Sequence, residues 1–216
     1  MYLPEHFYES RVEVLHELIK QKPMGLLVTN GVSGLDANHL PFELNTEKGL
    51  LGTLEAHVSR NNPVWQDVKD GDEVLAVFRV GDAYISPNSY PSKHETGKQV
   101  PTWNYIVVHA HGRVKIRDNE QYVRGVVAKL TRTHEASMPK PWKMTDSPRE
   151  YIDGLMKLIV GVEVEIVRLM GKFKLGQDDE ARDIVGAGSA LVARGEPMIG
   201  EAMLACGMAR KEPAVT

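Results

Sequence analysis

The densest set of groups able to hold an anion lies in Gly52-Thr53-Leu54-Glu55-Ala56-His57-Val58-Ser59-Arg60-Asn61-Asn62-Pro63. A strand runs into a polar turn there, and Asn62 is placed to cap a helix whose first residue is Pro63. A helix N-terminus offers unpaired backbone N–H groups and a partial positive charge, which suits a phosphate. His57, Ser59 and Arg60 could add hydrogen bonds, the one from Arg60 charge-assisted. An ordinary capped helix with an exposed arginine explains the same residues, and on the residues alone it is the simpler account.

Three further segments could carry chemistry. Tyr84-Ile85-Ser86-Pro87-Asn88-Ser89-Tyr90-Pro91-Ser92-Lys93 holds two prolines and cannot continue a central strand. It reads as a rigid polar loop able to grip a ligand, or as a crossover whose tyrosines cover the core edge. Val100-Pro101-Thr102-Trp103-Asn104-Tyr105 puts Trp103 and Tyr105 on one strand face, where rings can pack against a planar cofactor. His109 and His111 continue that face, so a metal or haem iron could use them. No third ligand stands at a telling spacing, and strand histidines more often serve structure. Gly171-Lys172-Phe173-Lys174-Leu175-Gly176-Gln177 sets two lysines on one face with Phe173 opposite, suited to an anion or simply solvated.

Other chemistries lack support. There is no Walker A loop, dinucleotide G-x-G-x-x-G, G-x-S-x-G elbow or H-E-x-x-H motif. The single cysteine, Cys206, excludes an intrachain disulfide. A formal net charge of -3 lacks the basic surplus of a protein whose main task is to wrap nucleic acid, so DNA contact would need a local patch. The N-terminus has no basic run leading into an apolar one, and no apolar stretch approaches the ~20 residues of a membrane span. A cytoplasmic location is expected.

The elements that must position these groups follow from periodicity. Ser10 to Gln21 has helical spacing closed by Pro23. Strands are expected over 24–29, 37–44, 49–57 and 73–80, with Gly81-Asp82 turning the chain into a further strand at 83–86. Pro101 to Arg117 alternates throughout. A helix is expected over 119–135 behind an Asp118 or Asn119 cap, and another from Ser147-Pro148 to about Leu158. Ile159 to Leu169 returns to strand, and the chain from Asp178 is helical, with a frayed end at 211–216. This predicts a mainly β protein with peripheral helices: a closed or partly closed barrel over 1–186 and a helical tail over 187–216.

The same segments, in the same order, resemble the PaiB family of FMN-binding negative transcriptional regulators. Met1-Tyr2-Leu3-Pro4-Glu5-His6-Phe7, His39-Leu40-Pro41-Phe42, Gly52-Thr53-Leu54 with His57 to Pro63, and Tyr84-Ile85-Ser86-Pro87 carry the resemblance. Val100 to Tyr105, Val108-His109-Ala110-His111-Gly112 and Gly171 to Leu175 complete it. The resemblance implies a split β-barrel like that of pyridoxamine-phosphate oxidases, acting as a homodimer with FMN at the interface. It places His57, Ser59, Arg60 and Asn61 at the phosphate turn and Lys172 and Lys174 near the groove. Thr102, Trp103 and Asn104 become candidates for the ring system or ribityl chain. Gly176 departs from the serine expected there. Bacterial cytosol is the implied location. A flavin-dependent oxidoreductase is the alternative function, and a haem-binding barrel a further one.

Overall fold

The computed structural model describes residues 1–210, so the expected frayed end at 211–216 lies outside the described residues. Its strands are β1 Tyr8–Glu9, β2 Met24–Gly31, β3 Gly34–Pro41, β4 Glu43–Asn45, β5 Thr53–Ser59, β6 Glu73–Ile85, β7 Thr102–Arg117 and β8 Ile159–Lys174. The helices are α1 Val12–Gln21, α2 Val64–Asp67, α3 Pro91–Thr96, α4 Glu120–Glu135, α5 Arg149–Met156, α6 Ala181–Ala193 and α7 Pro197–Ala209. The sheet order is β3-β2-β6-β7-β8-β5-β4, with β1 added to β8. No helix among the described residues is long and apolar enough to cross a membrane.

The chain divides into two compact units. One comprises residues 11–78 and 109–169, the other residues 1–10, 79–108 and 170 onward. In the first unit β2 and β3 form a hairpin registered from Met24↔Pro41 to Gly31↔Gly34, and β5 pairs antiparallel with β8 from Thr53↔Glu165 to Ser59↔Ile159. Strand alternation buries Leu27, Val74, Ala76, Phe78 and Ala110. Helix α1 brings Leu15 and Ile19 into the core with no exposure at all, as its apolar spacing requires. Helix α4 starts where expected, since Asn119 Oδ1 accepts from Tyr122 N at 3.0 Å. The Val123, Ile152 and Met156 side chains then pack α4 on α5.

In the second unit α6 and α7 form a hairpin so close that a Cβ on Gly188 would stand 2.9 Å from Gly200 O, and one on Gly200 2.9 Å from Gly188 O. Asp183, almost fully buried on α6, accepts from Ser92 N at 2.9 Å and so anchors the start of α3. The expected boundary at 186/187 falls inside α6, which runs unbroken from Ala181 to Ala193.

One expected turn is absent. Gly81-Asp82 lies inside a single thirteen-residue strand, β6. Gly81 has no left-handed φ, and its lack of a side chain serves packing: a Cβ there would meet Met198 Sδ at 2.9 Å. Asp82 pairs with Arg79, three residues back on the same strand. The β8 strand likewise runs five residues past Leu169, to Lys174.

Candidate functional site

The end of β5 and the turn after it contain four of the expected ligand residues, and the fold uses most of their polar groups. Ser59 Oγ accepts from Asn61 N at 3.3 Å, and Asn62 Oδ1 accepts from Val64 N at 3.0 Å. The helix that follows, α2, is only four residues long. One turn sums few peptide dipoles, so the expected phosphate site at its N-terminus loses its main physical support. The Arg60 guanidinium donates to both oxygens of Asp118, at 2.9 and 2.6 Å, and through Nε to Lys157 O at 2.8 Å. It also lies 5.7 Å over the Trp65 ring, whose Nε1 donates to Arg60 O. The hydrogen bond to Asp118 raises the Arg60 pKa, and the same bond lowers that of Asp118. Arg60 therefore clamps the end of β5 to the approaches of α4 and β8. His57, half-buried on β5, keeps a buried Nδ1 with no partner, and burial lowers its pKa so that the neutral ring is favoured.

The second group lies where β7 begins and β8 ends, in the other unit. Lys174 Nζ donates to Thr102 Oγ1 at 2.5 Å and to Trp103 O at 2.8 Å, fixing the first residues of β7. Trp103 is 56% exposed and stands edge-to-face with Tyr84, itself 42% exposed, at 5.8 Å and 66°. Asn104 points the other way and is fully buried. Its Nδ2 reaches only Met203 Sδ at 3.4 Å, and its Oδ1 has no partner. Lys172, 7% exposed, donates to Tyr2 O at 3.1 Å and sits 5.3, 5.6 and 5.9 Å over the rings of Tyr105, Tyr2 and Phe7. This is a cation held by aromatic faces.

The two strand histidines are 6.4 Å apart. Arg168 Nη2 lies 3.2 Å from His111 Nδ1, and because a guanidinium can only donate, Nδ1 must accept. The proton of neutral His111 is thus on Nε2, which is buried without a partner. Burial first, and then the Arg168 charge, lowers the His111 pKa; burial also lowers that of His109. Among the described residues, no three His, Cys, Asp or Glu side chains gather as metal ligands.

Periodicity did not reveal two features. Glu55 and Glu163 face each other across β5 and β8 and are 8% and 5% exposed. Lys129 reaches Glu55 at 3.1 Å, while Lys48 and Arg117 hold Glu163 at 2.6 and 3.1 Å. The second is an apolar sheet face in the first unit. Leu26, Val28, Leu75 and Val77 are half-exposed there with His109 and His111, and Leu35 is 80% exposed. The even spacing of β2 and β7 contained the signal for this face, but alternation alone cannot say which side a partner covers.

Residues 1–168 match the model of a family described as "Putative FMN-binding domain". An uncharacterised protein of Emericella nidulans is 32% identical over 213 residues, covering 82% of this chain and 85% of that one. Protease synthase and sporulation protein PAI 2 of Bacillus subtilis is 25% identical over 183 residues, covering 85% of each chain. Similarity to a fungal as well as a bacterial protein removes the bacterial restriction expected from the resemblance. The FAD and haem binding protein of Mycobacterium smegmatis superposes with a TM-score of 0.53 at 11% identity, over 79% of this chain and 74% of that one. At that identity the likeness speaks for the fold, a mainly antiparallel split barrel with peripheral helices. The family match stops before Gly171-Lys172-Phe173-Lys174-Leu175, so that block rests on its own geometry. The chain thus belongs to the PaiB-type FMN-binding-domain family, whose cofactor is FMN.

Proposed function

We propose that this protein is a cytoplasmic FMN-binding homodimer that works as a negative transcriptional regulator of the PaiB type. The observation that carries the flavin reading is the open aromatic pair Trp103–Tyr84, whose backbone Lys174 fixes through Thr102 Oγ1 and Trp103 O. FMN asks for a planar apolar platform and for donors near its phosphate and ribityl chain. The residues present fit: Trp103 offers the ring face, and Thr102, Lys172 and Lys174 stand on the neighbouring backbone. Asn104 supports that strand from the buried side. On the β5 turn, His57, Ser59 and Asn61 are proposed as phosphate contacts on separate grounds, the unpartnered Nδ1 of His57 above all. Arg60 is assigned there to holding the turn, because Asp118 already engages its fork. When bound, FMN supplies hydride and single-electron chemistry.

Dimerisation is supported by a partly exposed row of apolar side chains, Leu26, Val28, Leu75 and Val77, beside Leu35, which is 80% exposed. The regulatory part rests on the resemblance to PaiB-type regulators alone, and the net charge of -3 requires any DNA contact to be local. One observation favours a flavin-dependent oxidoreductase as a second reading: His111 holds a neutral Nε2–H with no partner among the described residues. Such a group could pass a proton beside a flavin.

The test is the absorption spectrum of the protein as purified and after adding FMN, with mass spectrometry of the released cofactor. Flavin bands with FMN released support the reading. A colourless protein that ignores FMN overturns it, and a Soret band would point to haem instead. Electrophoretic mobility shift on its own promoter region and NADPH oxidation then separate regulator from oxidoreductase.

A further inference from the structure

A groove lies along the C-terminal half of α4, closed on its other side by the segment 136–146. It has a volume of about 460 Å³, within the range of small-molecule sites. Its wall is apolar, formed by Ala128, Pro141, Trp142 and Met144, and its charged residues are Arg132, Lys143 and Glu135. Glu135 is already used: its Oε2 accepts from Trp142 N at 2.7 Å and fastens the segment to the helix. Arg132 and Lys143 form no ion pair among the described residues, and against the one carboxylate, Glu135, they leave the rim with an excess of positive charge.

The neighbouring groove differs in this respect. Arg124 and Arg149 line it together with Glu120 and Asp153. Arg124 is bonded to Glu120 and Asp153, and Arg149 lies 3.6 Å from Asp153. Its charges neutralise one another and leave nothing for a ligand to complete. Unlike that groove, the α4 groove joins an apolar wall to a rim with an excess of positive charge.

We propose that the α4 groove binds a small monocarboxylate with an apolar body, the chain or ring lying against Trp142 and Met144 and the carboxylate meeting Arg132 and Lys143. A carboxylate paired with a guanidinium gains a charge-assisted, bidentate bond that a neutral analogue cannot form. This site is independent of the flavin assignment. In a regulator it would be the place where a metabolite is sensed.

The test is isothermal titration of the full-length protein with octanoate and with octanol, in the presence and absence of FMN. Octanoate is expected to saturate one site at about 1 mM or below, with octanol at least about tenfold weaker. The Arg132→Gln/Lys143→Gln double variant should lower octanoate affinity about tenfold and leave octanol unchanged. Both substitutions are on exposed positions, so the fold is kept, which circular dichroism verifies. As a second measurement, octanoate should shift tryptophan emission in the native protein but not in Trp142→Phe, which retains Trp65 and Trp103. Equal affinity for octanoate and octanol, no effect of the double variant, or no saturable binding up to about 10 mM overturns the proposal. FMN affinity is read in the same samples, so failure here leaves the flavin reading to stand or fall on its own result.

Discussion

At the turn after β5 the strongest donor is spent inside the protein, whereas at the start of β7 the aromatic groups are left open. Arg60 satisfies Asp118 and the Lys157 carbonyl, and Trp65 stacks on it and bonds to its carbonyl. Trp103 and Tyr84 contact each other only at an edge and keep more than two-fifths of their surface in solvent. Both regions bring a cation to the neighbourhood of an aromatic residue, so residue types alone cannot distinguish them. What separates them is whether the aromatic ring is engaged by its own chain, as Trp65 is by Arg60, or left open, as Trp103 and Tyr84 are. A closed network reports on stability, and an open one reports on binding.

The largest expected effect belongs to another closed network, around Glu163. Removing Arg117 leaves that buried carboxylate to Lys48 alone, and Arg117→Ala should cost about 2 kcal/mol in a urea melt, with FMN affinity unchanged. A loss of FMN affinity in a variant that still folds would break the distinction. In the open region the outcome is the reverse. Trp103→Ala should weaken FMN and riboflavin alike, about tenfold in flavin-fluorescence titration, with little change in melting temperature. Arg60→Ala should lower the melting temperature and shift the affinities for FMN and riboflavin equally. A selective loss of FMN would restore Arg60 to the phosphate.

Acid should act on the closed groups. Burial alone would raise the Glu163 pKa, but the Arg117 and Lys48 bonds outweigh it and hold the carboxyl below its ordinary value. Its contribution is present above the unfolded value of about 4.3 and is lost as pH falls through the lower folded one. His57 and His109 are lowered by burial, so the unfolded chain takes up their protons more readily. Their effect makes stability rise with pH up to about 6.5. Melting temperature should therefore fall in two stages on acidification from pH 7, and a flat profile between 7 and 5 would contradict the histidine assignment. The smallest effect is expected at Asn104, whose Oδ1 is buried without a partner. Asn104→Leu should be neutral or slightly stabilising without FMN, and a marked loss would show a partner supplied from outside the described contacts.

The fold was legible where a signal was local. Alternation located β7 from Thr102 to Arg117, and Asn119 marked the start of α4 through its own cap. Pro23 follows the end of α1 at Gln21, and of the apolar positions in that helix Leu15 and Ile19 are the ones fully buried. Illegible features depended on distant partners. Gly81 reads as a turn until Met198, more than a hundred residues on, fills the space a side chain would take. Arg60 reads as a free cation until Asp118, fifty-eight residues later, meets it. Glu163 alternates with apolar residues like any exposed position, and only the Lys48 and Arg117 contacts show it buried and paired. The open aromatic pair was half legible: Trp103 stood out in its motif, while Tyr84 reads both as part of a short strand at 83–86 and as the head of an irregular segment, and in the fold it lies near the end of β6.

The account rests most directly on FMN binding at the face of Trp103. Titration of the cofactor-free protein with FMN, followed by quenching of flavin fluorescence, is the measurement that tests it. The account predicts saturation at one FMN per chain with micromolar affinity or better, weakened about tenfold in Trp103→Ala. No saturable quenching by the native protein, or equal affinity in the variant, would contradict it.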